Sequence, residues 1–321
     1  MFRLIYALLT ATLFLAAEPA AVLAETRTVT DDLGRIVAVP KDAKRIVVLH
    51  DKNLTIPLIE LGIIPTASHG RMSAQGIPFI RGSRTVTGHD FDVSPIRFIG
   101  SNPIDVEMVA AADPDLIISS PWMRISANQL SAIAPTVVID TIGRDTPEVF
   151  TLLAEVTGKT DELEILQRRY NAQIAQLRQV VDTEAITVNV LQAVNNEFYI
   201  QHTYSSLGRV LRDAGFVFPE AVNAIQEGTA TVMSPEMLPA LDADILFLTY
   251  RTDKGERPAD ALNSLERTVP GWCSFSHACQ HGQIHILPRE EATAASYDGL
   301  MAVVLTVLVS TSSQQITTKR R

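Results

Sequence analysis

The chain has 321 residues, 46% of them hydrophobic and 20% charged, with a formal net charge of -9. That length fills two modest domains or one large one. The acidic balance, with no basic tract, excludes an ordinary nucleic-acid binder.

The first 24 residues read as a signal peptide. Arg3 gives a basic start, an apolar run follows from Leu4 to Ala17, and small residues lead to a cleavage site after Ala24. The run is shorter than the roughly 20 residues of a membrane span, and Glu18 and Pro19 end it. No cysteine follows it, which argues against a lipid anchor. The expected product is a soluble exported protein beginning near Glu25.

The mature start, TRTVTDDLGRIVAVP, alternates and turns at Asp32-Leu33-Gly34, the pattern of a hairpin. KRIVVLH (44–50) is a continuous apolar strand of the kind buried on both faces. NLTIPLIELGI (53–63) follows as a helix ending at Gly62. Residues 71–95, rich in Gly, Arg, Ser and Pro, read as an irregular excursion. IDVEMVAAADPDLIIS (104–119) gives a helix, a break at Asp113-Pro114 and a buried strand. Residues 126–140 repeat that pattern. Alternation of this kind implies a parallel sheet with helices on both faces.

Residues 160–182 differ. Leu163, Leu166, Tyr170, Ile174, Leu177 and Val181 recur at steps of three and four without Gly or Pro. The spacing predicts one helix on the order of 35 Å long. After it the alternation restarts: strands at 185–194 and 197–202, a helix at 205–216, helix then strand at 233–250, a strand at 282–288, and a last helix from Ala292. LMAVVLTVLV (300–309) is too short to span a membrane and fits a buried terminal helix. The fold class is therefore α/β, with two Rossmann-like lobes joined by one long interlobe helix. The divisions are 1–24 signal peptide, 25–158 first lobe, 159–183 linking helix and 184–321 second lobe.

IDVEMVAAADPDLIIS in the first half and MSPEMLPALDADILFL in the second are counterparts, each with a helix opening on a Glu, a turn at Asp and a buried strand. Together with RIVVL, the isolated long helix and the run GW(x)5A(x)3GQIHIL, they make the chain resemble the periplasmic solute-binding proteins of ATP-driven importers. It is most similar to the class that takes ferric siderophores, haem or cobalamin. The resemblance covers nearly the whole mature chain. It implies a ligand cleft between the lobes, small closure on binding, a monomer in the periplasm, and a membrane permease with its cytoplasmic ATPase as partners. It further implies that Glu107 and Glu236, one per lobe, dock onto permease arginines. A Glu in a first turn also simply complements the helix dipole.

Ligands of open α/β sheets bind beyond the carboxyl ends of the strands. That rule selects His50, Asp51 and Lys52 after the first strand, and Arg71, Arg81 and Arg84 in the excursion. It also selects Trp122, Met123 and Arg124, then Asn195, Tyr199, His202 and Tyr204, then Tyr250 and Arg251, and finally Arg289. The expected ligand-binding set is Arg71, Arg81, Arg84, Trp122, Arg124, Tyr199, His202, Tyr250, Arg251 and Arg289. Arginine forks suit the oxygens of an anionic ferric chelate, and Trp and Tyr suit its flat rim. A ferric siderophore is the expected ligand, with iron present only inside the chelate and no resident cofactor or metal. Haem needs an axial His or Tyr, for which His50, His69, His202, Tyr199 and Tyr204 are candidates. Cobalamin, a bare metal ion, and a periplasmic enzyme or sensor on the same fold are the remaining alternatives. No G-x-x-x-x-G-K-[ST], G-x-S-x-G or H-E-x-x-H motif occurs, so the chain is not expected to be an enzyme.

The stretch GWCSFSHACQHGQIHILPR (271–289) holds both cysteines and His277, His281 and His285. The cysteines lack the short spacing of structural zinc sites, Gly282 breaks the segment, and QIHIL alternates as a strand. In an oxidising compartment Cys273 and Cys279 are expected to pair with each other.

Overall fold

A computed structural model describes residues 25–312 and 316–318; the signal-peptide reading of residues 1–24 lies outside them. Strands Thr26–Thr30 and Ile36–Pro40 pair antiparallel around a turn in which Gly34 takes a positive φ of 72°. Asp31, buried at that turn, accepts hydrogen bonds from the Leu33, Arg35 and Val138 N–H groups and pairs with the Arg35 guanidinium. Asp32 accepts from Asp140 N–H and binds Arg144. The two acids pin the hairpin beside the edge strand Thr136–Val138, which blunts that sheet edge.

The first lobe is built on five parallel strands in the order Arg97–Phe98, Ala67–Ser68, Ile46–Leu49, Leu116–Ser119, Thr136–Val138. Ile46–Leu49 explains its own apolar run. Ile46 and Val48 face one core, Val47 and Leu49 the other, and all four are buried. A strand covered on both faces needs no polar alternation. The second core is closed by Val109 of helix Val106–Ala110 and Leu130 of helix Ala127–Ser131. The helix expected over 53–63 begins instead as a π-turn, Asp51–Thr55, continuing as Ile56–Glu60. Thr55 N–H reaches five residues back to the His50 carbonyl. Pro57 has no N–H and crowds the carbonyl four residues before it, so the preceding turn widens.

The second lobe has the parallel strands Val188–Leu191, Ile245–Tyr250 and Ile284–Pro288 in that order. The single strand expected over 185–194 is broken at Gln192. Its end, Ala193–Val194, turns away to pair with Glu197–Gln201, which in turn pairs with Ala230–Met233. Asn195 and Asn196 both take positive φ at that hairpin, a conformation asparagine tolerates. Asn195 therefore serves the turn. Cys273 and Cys279 are disulfide-bonded with Cα atoms 5.1 Å apart. His277 stacks on His281, while His285 lies against Phe247 on the Ile284–Pro288 strand, so the three histidines do not converge.

Helix Thr160–Val180 joins the lobes and buries Leu163, Leu166, Tyr170, Ile174 and Leu177 along one stripe. The stripe is part of one continuous apolar core running through both lobes. At its centre the Tyr297 ring stands edge-on to Phe150 at 4.9 Å and to Tyr170 at 6.1 Å. Helix Thr146–Thr157, which the sequence reading did not separate out, carries Phe150 behind an Asp145/Glu148 capping box. The last helix, Tyr297–Ser312, starts against the first lobe, where Glu60 accepts hydrogen bonds from the Tyr297 and Asp298 N–H groups (2.8 and 3.2 Å). The Leu177→Ala variant, which empties a fully buried site of this shared core, is expected to lower stability by about 2–5 kcal/mol in urea unfolding.

Candidate functional site

Two cavities open on the carboxyl edges of the two sheets. The first, of about 350 Å³, is lined by residues drawn from beyond all five strands of the first lobe. His50, Lys52 and Asn53 follow the central strand, and His69 and Arg71 follow the next. Asn102, the pair Trp122 and Met123, and the pair Thr141 and Ile142 follow the other three, and Arg81 reaches in from the excursion. The strand order reverses at Ile46–Leu49, the position where an open α/β sheet leaves a crevice. The second cavity, of about 590 Å³, includes Gln192 and Ala193 after one second-lobe strand, Arg251 after the next and Arg289 after the last. Tyr199, Lys254, Arg267, Glu256 and Asp260 also line it.

Asp51 organises the first cavity. Its side chain has no exposed surface, and Arg81 grips it with two hydrogen bonds of 2.7 and 2.8 Å. Burial pushes the Asp51 carboxyl up, but the Arg81 fork, with His50 and His69 adding, outweighs it and holds the group at about 2. Arg71 lies 3.8 Å from the same carboxylate. Burial pushes the Lys52 ammonium down to about 8, aided by Arg81 and Arg289 and opposed by Asp51. Lys52 Nζ donates across the cleft to Thr293 Oγ1 at 2.9 Å. Lys52 lines the first cavity and Thr293 lies four residues beyond Arg289 of the second, so this bond joins the neighbourhoods of the two cavities.

His50 and His69 sit on either side of this carboxylate. His50 Nδ1 accepts the Asn53 N–H at 3.0 Å, and His69 Nδ1 accepts the Asp51 N–H at 3.3 Å. Burial pushes both imidazoles down to about 4, with Asp51 opposing. Among the described residues, no group of three or more His, Cys, Asp or Glu side chains is arranged to hold a metal ion.

The sequence matches the periplasmic binding protein family over residues 73–291. The chain belongs to that family. Among curated relatives, the probable siderophore-binding lipoprotein YfiY of Bacillus subtilis is 30% identical over 244 residues, covering 72% of this chain and 71% of that protein. The ferric enterobactin-binding periplasmic protein FepB of Escherichia coli is 25% identical over 211 residues, covering 61% of this chain and 64% of that one. The crystal structure of Staphylococcus aureus SirA complexed with staphyloferrin B superposes with a TM-score of 0.71 at 20% identity, covering 89% of this chain and 98% of that one. A FhuD fold-family periplasmic binding protein from B. subtilis gives 0.69 at 19% identity, covering 88% and 99%. Both share the fold. No helix among the described residues is long and apolar enough to cross a membrane.

In this periplasmic binding protein, Arg71, Arg81 and Trp122 line the first cavity and Tyr199, Arg251 and Arg289 the second. Trp122 is half exposed there, as an available flat surface should be. Four sequence candidates fall outside both linings. Arg84 is engaged by Asp90 and Asp92. Arg124 ends the turn Pro121–Met123 with φ of 51° and is exposed. His202 bonds to Thr203 Oγ1 while its carbonyl is held by Arg212. Tyr250 closes its strand without lining the cavity. Asn102, Thr141 and Ile142 were missed, although the carboxyl-end rule points to the last two. Arg267 sits inside helix Pro258–Thr268 and carries no sequence signal. Tyr204 is buried, with its hydroxyl bonded to Thr249 Oγ1.

Between pH 6.5 and about 4 the unfolded imidazoles bind protons that the folded His50 and His69 refuse. Stability is therefore expected to fall as pH drops through that window. The urea midpoint of a His50→Gln/His69→Gln double variant should show a shallower slope over the same range.

Proposed function

We propose that this periplasmic binding protein captures a ferric siderophore between its two lobes and delivers it to the permease of an ATP-driven importer. The observation that carries the reading is the charge of the two cavities. Lys52, Arg71 and Arg81 line the first, and the buried Asp51 carboxylate paired with Arg81 offsets only one of these three charges. Arg251, Lys254, Arg267 and Arg289 outnumber Glu256 and Asp260 in the second. A chain of net charge -9 thus concentrates cations where its cleft lies, which favours an anionic ligand. Arginine forks meet the peripheral oxygens of such a chelate, and Trp122 and Tyr199 offer flat area to its organic rim. The siderophore-binding names of the relatives support the same class. The protein acts by binding, with no chemistry of its own, in the space outside the cytoplasmic membrane.

Glu107 and Glu236 are exposed at the starts of counterpart helical segments, Val106–Ala110 and Pro235–Met237. Each segment leads into a parallel strand of its lobe, Leu116–Ser119 and Ile245–Tyr250. We assign them to docking on permease arginines.

Three outcomes are expected. Ferric enterobactin, ferric staphyloferrin B and ferrichrome, titrated separately, should include one that quenches Trp122 fluorescence. Arg71→Ala and Arg289→Ala should each weaken that complex about ten-fold or more. Quenching by haem alone, with a Soret band, would overturn the siderophore reading. The double variant Glu107→Arg/Glu236→Arg should keep wild-type affinity but lose uptake in cells; persistent uptake would refute the docking assignment.

A further inference from the structure

We infer that His50 and His69 meet the ligand as neutral Nε2–H donors, so that the bound iron keeps the coordination of its chelator and takes no ligand from this wall. The inference rests on the siderophore reading and adds the mode of recognition. Both rings have Nδ1 turned onto a backbone N–H, Asn53 for His50 and Asp51 for His69. A nitrogen that accepts a hydrogen bond carries no proton, so in the neutral ring the proton sits on Nε2. A protonated Nε2 has no lone pair for a metal. A metal-ligating imidazole has the opposite arrangement, with its other nitrogen donating to a carbonyl or carboxylate.

The competing acceptor is the Asp51 carboxylate, and it does not reverse the assignment. Its Oδ1 is 3.8 Å from His50 Nδ1 and 3.6 Å from His69 Nδ1, beyond hydrogen-bond reach. Both carboxylate oxygens are already taken by Arg81. The other charges facing the rings, Arg71 and Arg81, disfavour imidazolium.

His69 supplies an independent observation. The residue is only 2% exposed, it lines the cavity, and its buried Nε2 has no hydrogen-bond partner. An unpaired buried N–H is costly, and a small shift of the His69 ring as ligand enters the cavity it lines would let an acceptor relieve it. His50, on the same wall, is a further donor of the same tautomer. With Arg71, Arg81 and Lys52 beside them, the wall is rich in donors. Its complement is a coordinatively saturated chelate that turns carboxylate or catecholate oxygens outward.

The test begins without any chelate. Two-bond proton–nitrogen NMR of the labelled protein near neutral pH should show both rings protonated at Nε2; protonation at Nδ1 would overturn the inference. Zn²⁺ and haem titrations should show no histidine-dependent binding, and binding lost in His50→Phe/His69→Phe would overturn it. For whichever of ferric enterobactin, ferric staphyloferrin B or ferrichrome binds, the chelate's visible spectrum should be the same bound and free. His50→Phe should weaken that complex about ten-fold, with His50→Gln restoring most of it. An altered iron spectrum in the wild type, or unchanged affinity in His50→Phe, would refute donation. If none of the three binds, the siderophore reading falls while the tautomer measurement still decides this one.

Discussion

A carboxylate with no exposed surface at the end of a central strand must be answered by a cation, and the first lobe's ligand wall is arranged around that requirement. Asp51 is that carboxylate and Arg81 is the answer. Removing one partner of such a pair leaves an uncompensated buried charge, a costly state. The pair therefore fixes more than itself. It draws the excursion carrying Arg71 and Arg81 back over the sheet edge. It also places the Asp51 backbone against His69, which sets that ring's tautomer. The π-turn beginning at Asp51 presents Lys52 to the cleft, where it reaches the other lobe. One desolvated charge thus orders most of the wall.

The lobes are coupled by packing as much as by the connecting helix. Phe150 belongs to the first lobe, Tyr170 to the link and Tyr297 to the second, and their rings meet. Glu60 caps the start of the last helix from across the boundary, satisfying two N–H groups that a helix cannot satisfy itself. Arg209 of the second lobe pairs with Asp145 of the first. Large hinge opening would expose this shared apolar surface and break these bonds. A cleft built in this way recognises its ligand by a largely preformed wall, which suits a rigid chelate and lowers the ordering cost of binding.

Arg81 and Arg84 show how far sequence reasoning reaches. Three residues apart, in the same irregular segment, they have the same chemistry and the same apparent claim on the cleft. Arg81 turns inward because a buried acid lies within its reach. Arg84 is retained at the surface by Asp90 and Asp92. The partner of Arg81 is not legible from spacing, since Asp51 is thirty residues away. The break at Gln192 is a similar case. The apolar run continues through Val194, but its end pairs with the Glu197–Gln201 hairpin strand instead of extending the parallel sheet.

By itself the sequence determined the alternation of buried strands and helices, the single long amphipathic helix, the counterpart segments and the edge of each sheet where ligand residues belong. These follow from local periodicity and chain direction, which any stretch of a dozen residues carries. Only the tertiary structure decided which of ten proposed side chains line a cavity, that Asp51 is consumed by Arg81, and that both imidazoles turn Nδ1 onto a backbone N–H. Those outcomes depend on which charged and polar groups become neighbours on desolvation. That is a property of packing between segments far apart in the chain.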